Sequence, residues 1–339
     1  MKTYRALLVG AGQMGRNWAK NLRDCPEVKT VGWMDIRPGA PQAAIEELRL
    51  SDVPGFDDLQ KAIAESRPDF VVDVTAPEAH YSVTLAALAA GIPVLGEKPM
   101  ADSMERAREM VAASQKAGQL YMVSQSRRYH AGAIALADLV RRHLGPLGIL
   151  NSDFYLGAHF DGFRHEMKNV LLLDMAIHTF DSARHISGAD PVSVYCEEFN
   201  PSWSWHKGAD SAVALFEMTG GLRYTYRGSW CAEGLSTSWE SQWRAHGPGG
   251  AAVWDGESAP VAGVVCGKEG LIRESEKITA KLPEKYFGGI AGSLREFLEA
   301  LSTGRKPQGE CHDNIKSLAM AFAAVESAQT GRRVPVRGI

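Results

Sequence analysis

Cysteine is scarce and scattered in the 339-residue chain: Cys25, Cys196, Cys231, Cys266 and Cys311 are odd in number and form no C-x-x-C pair. That argues against a disulfide framework or a thiolate metal site and suits a reducing compartment. Excess positive charge is also missing. Lysine and arginine number 37 against 40 acidic residues, a formal net charge of -3, so no global basic field exists to hold a nucleic-acid backbone. No apolar run approaches the roughly 20 residues that span a bilayer. The opening stretch runs from Arg5 straight into Ala6-Leu7-Leu8-Val9, too short for the core of a signal peptide. Together these absences predict a soluble, cytoplasmic protein with no nucleic-acid or membrane partner.

What is present is an ordinary globular composition, 45% hydrophobic and 23% charged, which excludes disorder as the main state. At about 100 to 200 residues per domain the length predicts two domains. Residues 1–125 alternate apolar runs with amphipathic stretches, the pattern of β-α-β units in a doubly wound parallel sheet. Strands are expected at Ala6 to Val9, Val31 to Met34, Phe70 to Val74, Pro93 to Leu95 and Leu120 to Val123. Asp102 followed by Glu105 reads as a helix start, and Gly118 as a helix stop. After about residue 190 the period changes to two. Ala212 to Met218 and Leu222 to Trp230 read as a hairpin, and Trp239 to His246 and Ala252 to Trp254 as further strands. Residues 126–339 are therefore expected to form an α+β domain on an open, mainly antiparallel sheet. Two late helices, Ser293 to Leu301 and Asn314 to Gln329, follow, and the C-terminal helix is a candidate to pack back on the first domain.

Gly10-Ala11-Gly12-Gln13-Met14-Gly15 follows the first strand and opens a helix. Gly10 serves the tight turn, Gly12 lets backbone approach a pyrophosphate, and Gly15 packs helix on strand. The free N–H groups of the helix start, at Gln13 and Met14, then face the phosphates. The second strand ends in Asp35, where a carboxylate accepts from ribose hydroxyls and repels a 2'-phosphate. This favours NAD, while Arg37 leaves NADP open. A second signal is Glu97-Lys98-Pro99 at the carboxyl end of a strand, where ligands bind in open α/β sheets. Pro99 biases Lys98 to an extended backbone, and the Lys98-Pro99 bond is open to either isomer.

The most informative stretch is Asn169 to Ser187. Read as a helix, Asp174, His178, Asp181 and His185 fall on one polar line while nearly everything else is apolar. Such a stripe must pair internally, coordinate something or line a cleft. A carboxylate near an imidazole raises its proton affinity, which suits a general base for an alcohol; a mutually satisfied structural pair is the alternative. His159, Asp161, His165 and His178 offer metal-type ligands but match no standard zinc spacing, so no metal is expected. The stretch from Ala158 to His165, with His159, Arg164 and His165, and the residues Arg127, Arg128 and Tyr129, are rich in groups that recognise a polyol. Six of the eight tryptophans lie beyond residue 200; pairs such as Trp239 and Trp243 fit a sheet face or subunit interface better than a sugar platform.

These pieces resemble one family, the Gfo/Idh/MocA oxidoreductases. The resemblance rests on the glycine turn, Thr75-Ala76-Pro77-Glu78-Ala79-His80, Glu97-Lys98-Pro99 and the Asp174, His178, Asp181 helix, and it covers nearly the whole chain. It implies a Rossmann domain followed by an α/β domain whose open sheet makes homodimer or homotetramer contacts. It implies NAD(H)-dependent hydride transfer to or from a secondary alcohol of a sugar, cyclitol or related polyol. His178 would act as general base, Lys98 would polarise the reacting oxygen and Asp174 would orient His178. Thr75, Pro77, His80 and Glu97 would lie near the cofactor. Ala176 and the bulky Val170-Leu171-Leu172-Leu173 run depart from the glycine-containing helix of many members. An NAD-using glycosidase and a non-catalytic dinucleotide-binding regulator are the alternative readings.

Overall fold

The computed structural model describes residues 2–50, 52–160, 162–284 and 286–337. The chain forms two compact units, one running to Gln125 and joined by Ile290–Ile315, the other comprising Ser126–Gly289 and the chain from Lys316 onward.

The first unit begins with β1 (Tyr4–Val9), α1 (Gln13–Arg23), β2 (Val28–Met34), α2 (Ala40–Glu47), β3 (Gly55–Phe56) and α3 (Leu59–Ser66). It continues with β4 (Phe70–Asp73), α4 (Pro77–Ala89), β5 (Val94–Glu97), α5 (Met104–Ala117) and β6 (Tyr121–Ser124). The strands make one parallel sheet in the order β3-β2-β1-β4-β5-β6. Leu7, Leu8, Val9, Val71, Val72 and Leu95 are completely buried, as unbroken aliphatic runs must be when helices cover both faces. The order reverses direction between β1 and β4, and in such sheets a ligand crevice opens beyond the carboxyl ends at that point.

Local chemistry sets the helix ends, with one change from expectation. The N-cap of α5 is Ser103, not Asp102: Ser103 has the extended backbone and accepts from the Arg106 amide. Asp102 instead pairs with the Arg106 guanidinium one turn on, at 2.7 Å. Gly118 closes the helix in the left-handed conformation, as expected.

The second unit contains α6 (Ala131–Leu139), a π-helical turn (Val140–Leu144), β7 (Ile149–Tyr155), the short α7 (Phe163–Glu166) and a π-helical segment (Leu171–Ala176). That segment continues directly into α8 (Ile177–Ser187). Then come β8 (Pro191–Phe199), β9 (Ser211–Met218), β10 (Arg223–Ser229), β11 (Gln242–Gly247), β12 (Gly250–Trp254), β13 (Val261–Val265) and β14 (Ser275–Thr279). The helices α9 (Gly289–Thr303) and α10 (Cys311–Thr330) and the strand β15 (Val334–Pro335) end the chain. The sheet has nine strands in the order β14-β13-β12-β11-β7-β10-β9-β8-β15. All neighbours are antiparallel except β7 and β10. Inward residues alternate along β10, where Tyr224 and Tyr226 are completely buried and meet Phe180 of α8 edge-on. The expected strand at Trp239 starts only at Gln242, because Trp239 and Glu240 form a turn and Ser241 takes a φ of 67°.

The segment Ile290–Ile315 departs from the expected continuous second domain by grouping with the first unit. Its α9 buries Leu294, Phe297 and Leu298. Phe297 sits 5.2 Å, centroid to centroid, from Phe70 of β4, and the Gly309 carbonyl accepts from the Val123 amide.

Candidate active site

The candidate residues of the first unit gather at the carboxyl edge of the parallel sheet. Gly10 ends β1 with a φ of 104°, and a Cβ there would lie 2.6 Å from the Val74 carbonyl oxygen. Trp33 of β2 holds the turn by donating its indole N–H to the Gly10 carbonyl at 3.0 Å. At Gly15 a Cβ would fall 2.1 Å from the same carbonyl, so only glycine lets α1 start this close to the strand. Gly12 differs, with nothing within 4 Å of its virtual Cβ. It is the N-cap of α1 and supplies no side-chain cap, leaving the first-turn N–H groups of a helix whose Gln13 and Met14 are exposed. An open glycine at an uncapped helix start is what a pyrophosphate requires, and the residues fit a dinucleotide.

Asp35, at the end of β2, is 8% exposed and accepts from the Ala11 amide at 2.7 Å, tying the acidic position to the glycine turn. Arg37 forks the same carboxylate through Nε and Nη2 at 2.9 and 2.8 Å. Burial pushes the Asp35 carboxyl up, but hydrogen bonds from Arg37 and Ala11 outweigh it and hold it at about 2. Asp35 is thus a firm carboxylate with Arg37 resting on it.

Beyond β4, Asp73 organises the turn. It accepts from the Thr75 amide and hydroxyl at 3.1 and 2.6 Å and pairs with His80 Nδ1 at 3.1 Å. Burial opposes a charged His80, but Asp73 wins and raises its proton affinity. His80 is 2% exposed, so its ring supports the turn from beneath. Pro77, the first residue of α4, fixes the helix entry. Asp73 escaped sequence reading; an acid ending an otherwise aliphatic strand was its signal. Beyond β5, the buried Glu97 accepts from Trp18 Nε1 at 2.7 Å and from the Lys98 amide at 3.1 Å. Burial raises its carboxyl above the ordinary range. Lys98 follows at the strand end, partly exposed, and its bond to Pro99 is cis.

In the second unit the Asn169 to Ser187 run starts in a turn at Asn169 and is helical from Leu171 to Ser187, its first part being a π-helix that carries Asp174. Whether a turn closes by the i→i+4 or the i→i+5 bond, a residue four positions on returns to about the same side. Asp174 and His178 therefore stay on one line. Asp174 is buried, and Arg164 Nε donates to it at 2.5 Å. Asp181 pairs outside its helix: Arg128 forks it at 2.6 and 2.7 Å, and Ser317 of α10 donates to it at 2.6 Å. His185, the last member of the line, is pushed down to about 4 by burial and by Arg128.

Arg127 donates to Met175 Sδ at 3.2 Å and has Glu240 at 4.0 Å, while its Nη1 is buried without a partner. Tyr129 is buried. His159 leans away, stacked on Trp205 at 3.8 Å and bonded to Glu233 at 2.9 Å. His165 lies 6.5 Å from His206, ring to ring. Asp161 lies outside the described residues. The structure thus joins Arg164 and Asp174, and sets Arg127 on Met175 beside them, while His159 and His165 join an aromatic group around Trp205 and His206 that reaches Arg164 through Trp230 and Phe160. Of the tryptophans, Trp243 and Trp254 fill the sheet face, at 3% and 4% exposed.

The family model of the oxidoreductase family's NAD-binding Rossmann fold matches residues 4–125, and the model of its C-terminal alpha/beta domain matches residues 162–336. The chain belongs to the Gfo/Idh/MocA oxidoreductase family. Like its family, this protein is an oxidoreductase whose first domain is the NAD-binding one. A 1,5-anhydro-D-fructose reductase of Ensifer adhaerens is 24% identical over 97% of each chain. An inositol 2-dehydrogenase of Arthrobacter is 31% identical over 57% of each chain. The fold is shared with a solved Agrobacterium radiobacter oxidoreductase in complex with NAD+, L-tartaric acid and magnesium, at a TM-score of 0.86, 22% identity and 99% coverage of both chains. Among the described residues of this Gfo/Idh/MocA protein, no helix is long and apolar enough to cross a membrane.

Proposed function

We propose that this oxidoreductase interconverts a secondary alcohol and the corresponding ketone of a sugar, cyclitol or related polyol, with NAD(H) as its cofactor. The observation that carries the reading is the pairing of two chemistries in one chain. One is a cation, Lys98, at the cofactor edge of the parallel sheet; the other is an imidazole, His178, four residues beyond a buried carboxylate. The named relatives, a sugar reductase and an inositol dehydrogenase, support that substrate class.

NAD, when bound, takes or gives the hydride. The chain's own residues do the rest. Gly10, Gly12 and Gly15 with the α1 amides hold the pyrophosphate, and Thr75, Pro77 and the buried Glu97 shape the floor beside it. Asp35 receives the ribose hydroxyls and repels a 2'-phosphate, which favours NAD over NADP. His178 accepts the hydroxyl proton in oxidation and returns it in reduction, and Lys98 steadies the negative charge that builds on the oxygen. Arg127, with its buried unpartnered Nη1, and Tyr129 are substrate contacts in this reading. The open sheet face, with Val213, Phe199 and Tyr195 exposed, suits a homodimer or homotetramer in the cytoplasm.

The test is an NADH-absorbance screen over sugars, cyclitols and their keto forms, followed by Lys98→Met and His178→Asn. Turnover should fall about 100-fold or more in each, with the NADH dissociation constant nearly unchanged. Full activity in either variant defeats the assignment. Cleavage of a glycoside with no net change in NADH would favour the glycosidase reading, and tight NADH binding without turnover a regulator.

A further inference from the structure

Arg164 is built into the second unit rather than hung on its surface. It stands on α7, and the loop around it is stapled by backbone bonds from Lys207 to His165 and from Ala209 to Lys168, at 3.1 and 3.0 Å. Its guanidinium lies over the Phe160 ring at 5.2 Å, and Phe160 in turn meets Trp230 edge-on at 5.5 Å. From this seat Nε donates to Asp174 Oδ2 at 2.5 Å and Nη2 to Oδ1 at 3.5 Å. The carboxylate is 9% exposed and the arginine 30%, so solvent screens the pair far less than an ordinary surface contact. A substrate-binding arginine would leave its fork for the ligand; this one spends it on an acid of the protein.

We propose that Arg164 is a positioning residue for the reaction, clamping Asp174 and offsetting its charge so that His178 releases its proton at a lower pH than the bare carboxylate would allow. The inference rests on the assignment of His178 as the acid–base group. An ionised carboxylate four residues away stabilises the imidazolium, and a guanidinium on that carboxylate cancels part of the stabilisation. Two further charged groups near this pair are set differently. Arg127 feels Asp174 through space but is buried against Met175, Tyr226 and Glu240, so it contributes a constant background. Glu166, beside Arg164, is turned outward onto Lys207.

The experiment is the pH dependence of kcat/KM in both directions for the parent, Arg164→Lys and Arg164→Gln. Oxidation needs neutral His178 and rises with pH; reduction needs the imidazolium and falls. Removing the clamp should move both inflections to higher pH together, by about half a unit to one unit in R164Q. The shift in R164K should be smaller, because an ammonium keeps the charge but cannot fork the carboxylate. In an Asp174→Asn background, where no carboxylate holds the guanidinium in place, the Arg164 substitutions should move the inflections less than they do in the parent. Unmoved inflections in R164Q and R164K, whatever happens to kcat, overturn the proposal. If R164Q does not fold, R164K is read alone in the same way. Retained activity in His178→Asn would instead overturn the acid–base assignment beneath it.

Discussion

Two carboxylates on one helical run, Asp174 and Asp181, take different arginines and so do different work. Asp181 is 1% exposed and held by Arg128 and Ser317. Its removal takes a forked carboxylate from the buried Arg128 guanidinium, the case in which a broken buried pair is costly. Asp181→Ala should destabilise the protein by about 3–5 kcal/mol, read as a lowered urea midpoint. Asp174→Asn keeps the shape and one of the two oxygens that accept from Arg164 while removing the charge. It should lower the urea midpoint clearly less, because Arg164 is 30% exposed and can be solvated, and it should lower turnover, which separates a fold-holding acid from one that serves the chemistry. An equal loss of stability in the two variants would contradict this division. The sequence placed both acids on one polar line, and that much is legible from spacing. Their partners were not, because Arg128 and Ser317 stand 53 and 136 residues from Asp181, and no local period reports such a meeting.

At the scale of elements, the glycine turn and the start of α1 make a sharper test than the motif alone. Gly12 has a backbone that any residue adopts, with φ −78°, and open space where a Cβ would go. Gly12→Ala should therefore keep the thermal midpoint of the free protein and weaken NADH binding about tenfold or more, because only the bound pyrophosphate meets the added methyl. Gly15→Ala should damage both, since its methyl would strike the Gly10 carbonyl at 2.1 Å and lift the helix from the strand. Fluorescence titration with NADH and a melting curve distinguish them; unchanged NADH binding in Gly12→Ala would refute the cofactor placement. The five long strands of the first sheet, the glycine turn and the Gly118 stop were legible because each has a local physical cause. The π-helical segment under Asp174 was not, since the Val170 to Ala176 run reads equally well at either helical period. The Ser103 cap was misread as Asp102 because both residue types cap helices and only the backbone angle decides between them.

Across the whole molecule, two half-buried groups outside the proposed chemistry give the stability profile opposite slopes. His185 titrates near 4 in the folded protein, against an ordinary value of 6.5, because burial and Arg128 disfavour its charge. Its folded value is depressed, so stability is complete above about pH 6.5 and is lost as pH falls toward 4, by about 2 kcal/mol at pH 5. Glu198 behaves the other way. Burial raises its carboxyl to about 7 despite the Asn169 hydrogen bond, and its Oε1 has no partner. A raised carboxyl contributes stability below about pH 4.5 that is lost as pH climbs toward 7. The two slopes oppose each other between pH 5 and 7 and flatten the profile there. His185→Gln removes the acid-side loss, so relative to the parent its thermal midpoint should gain more at pH 5 than at pH 7. Glu198→Gln removes the neutral-side loss and should gain more at pH 7 than at pH 5. Melting curves at the two pH values decide the matter by sign alone, and slopes that shift in the same direction in both variants would show that these groups do not balance one another.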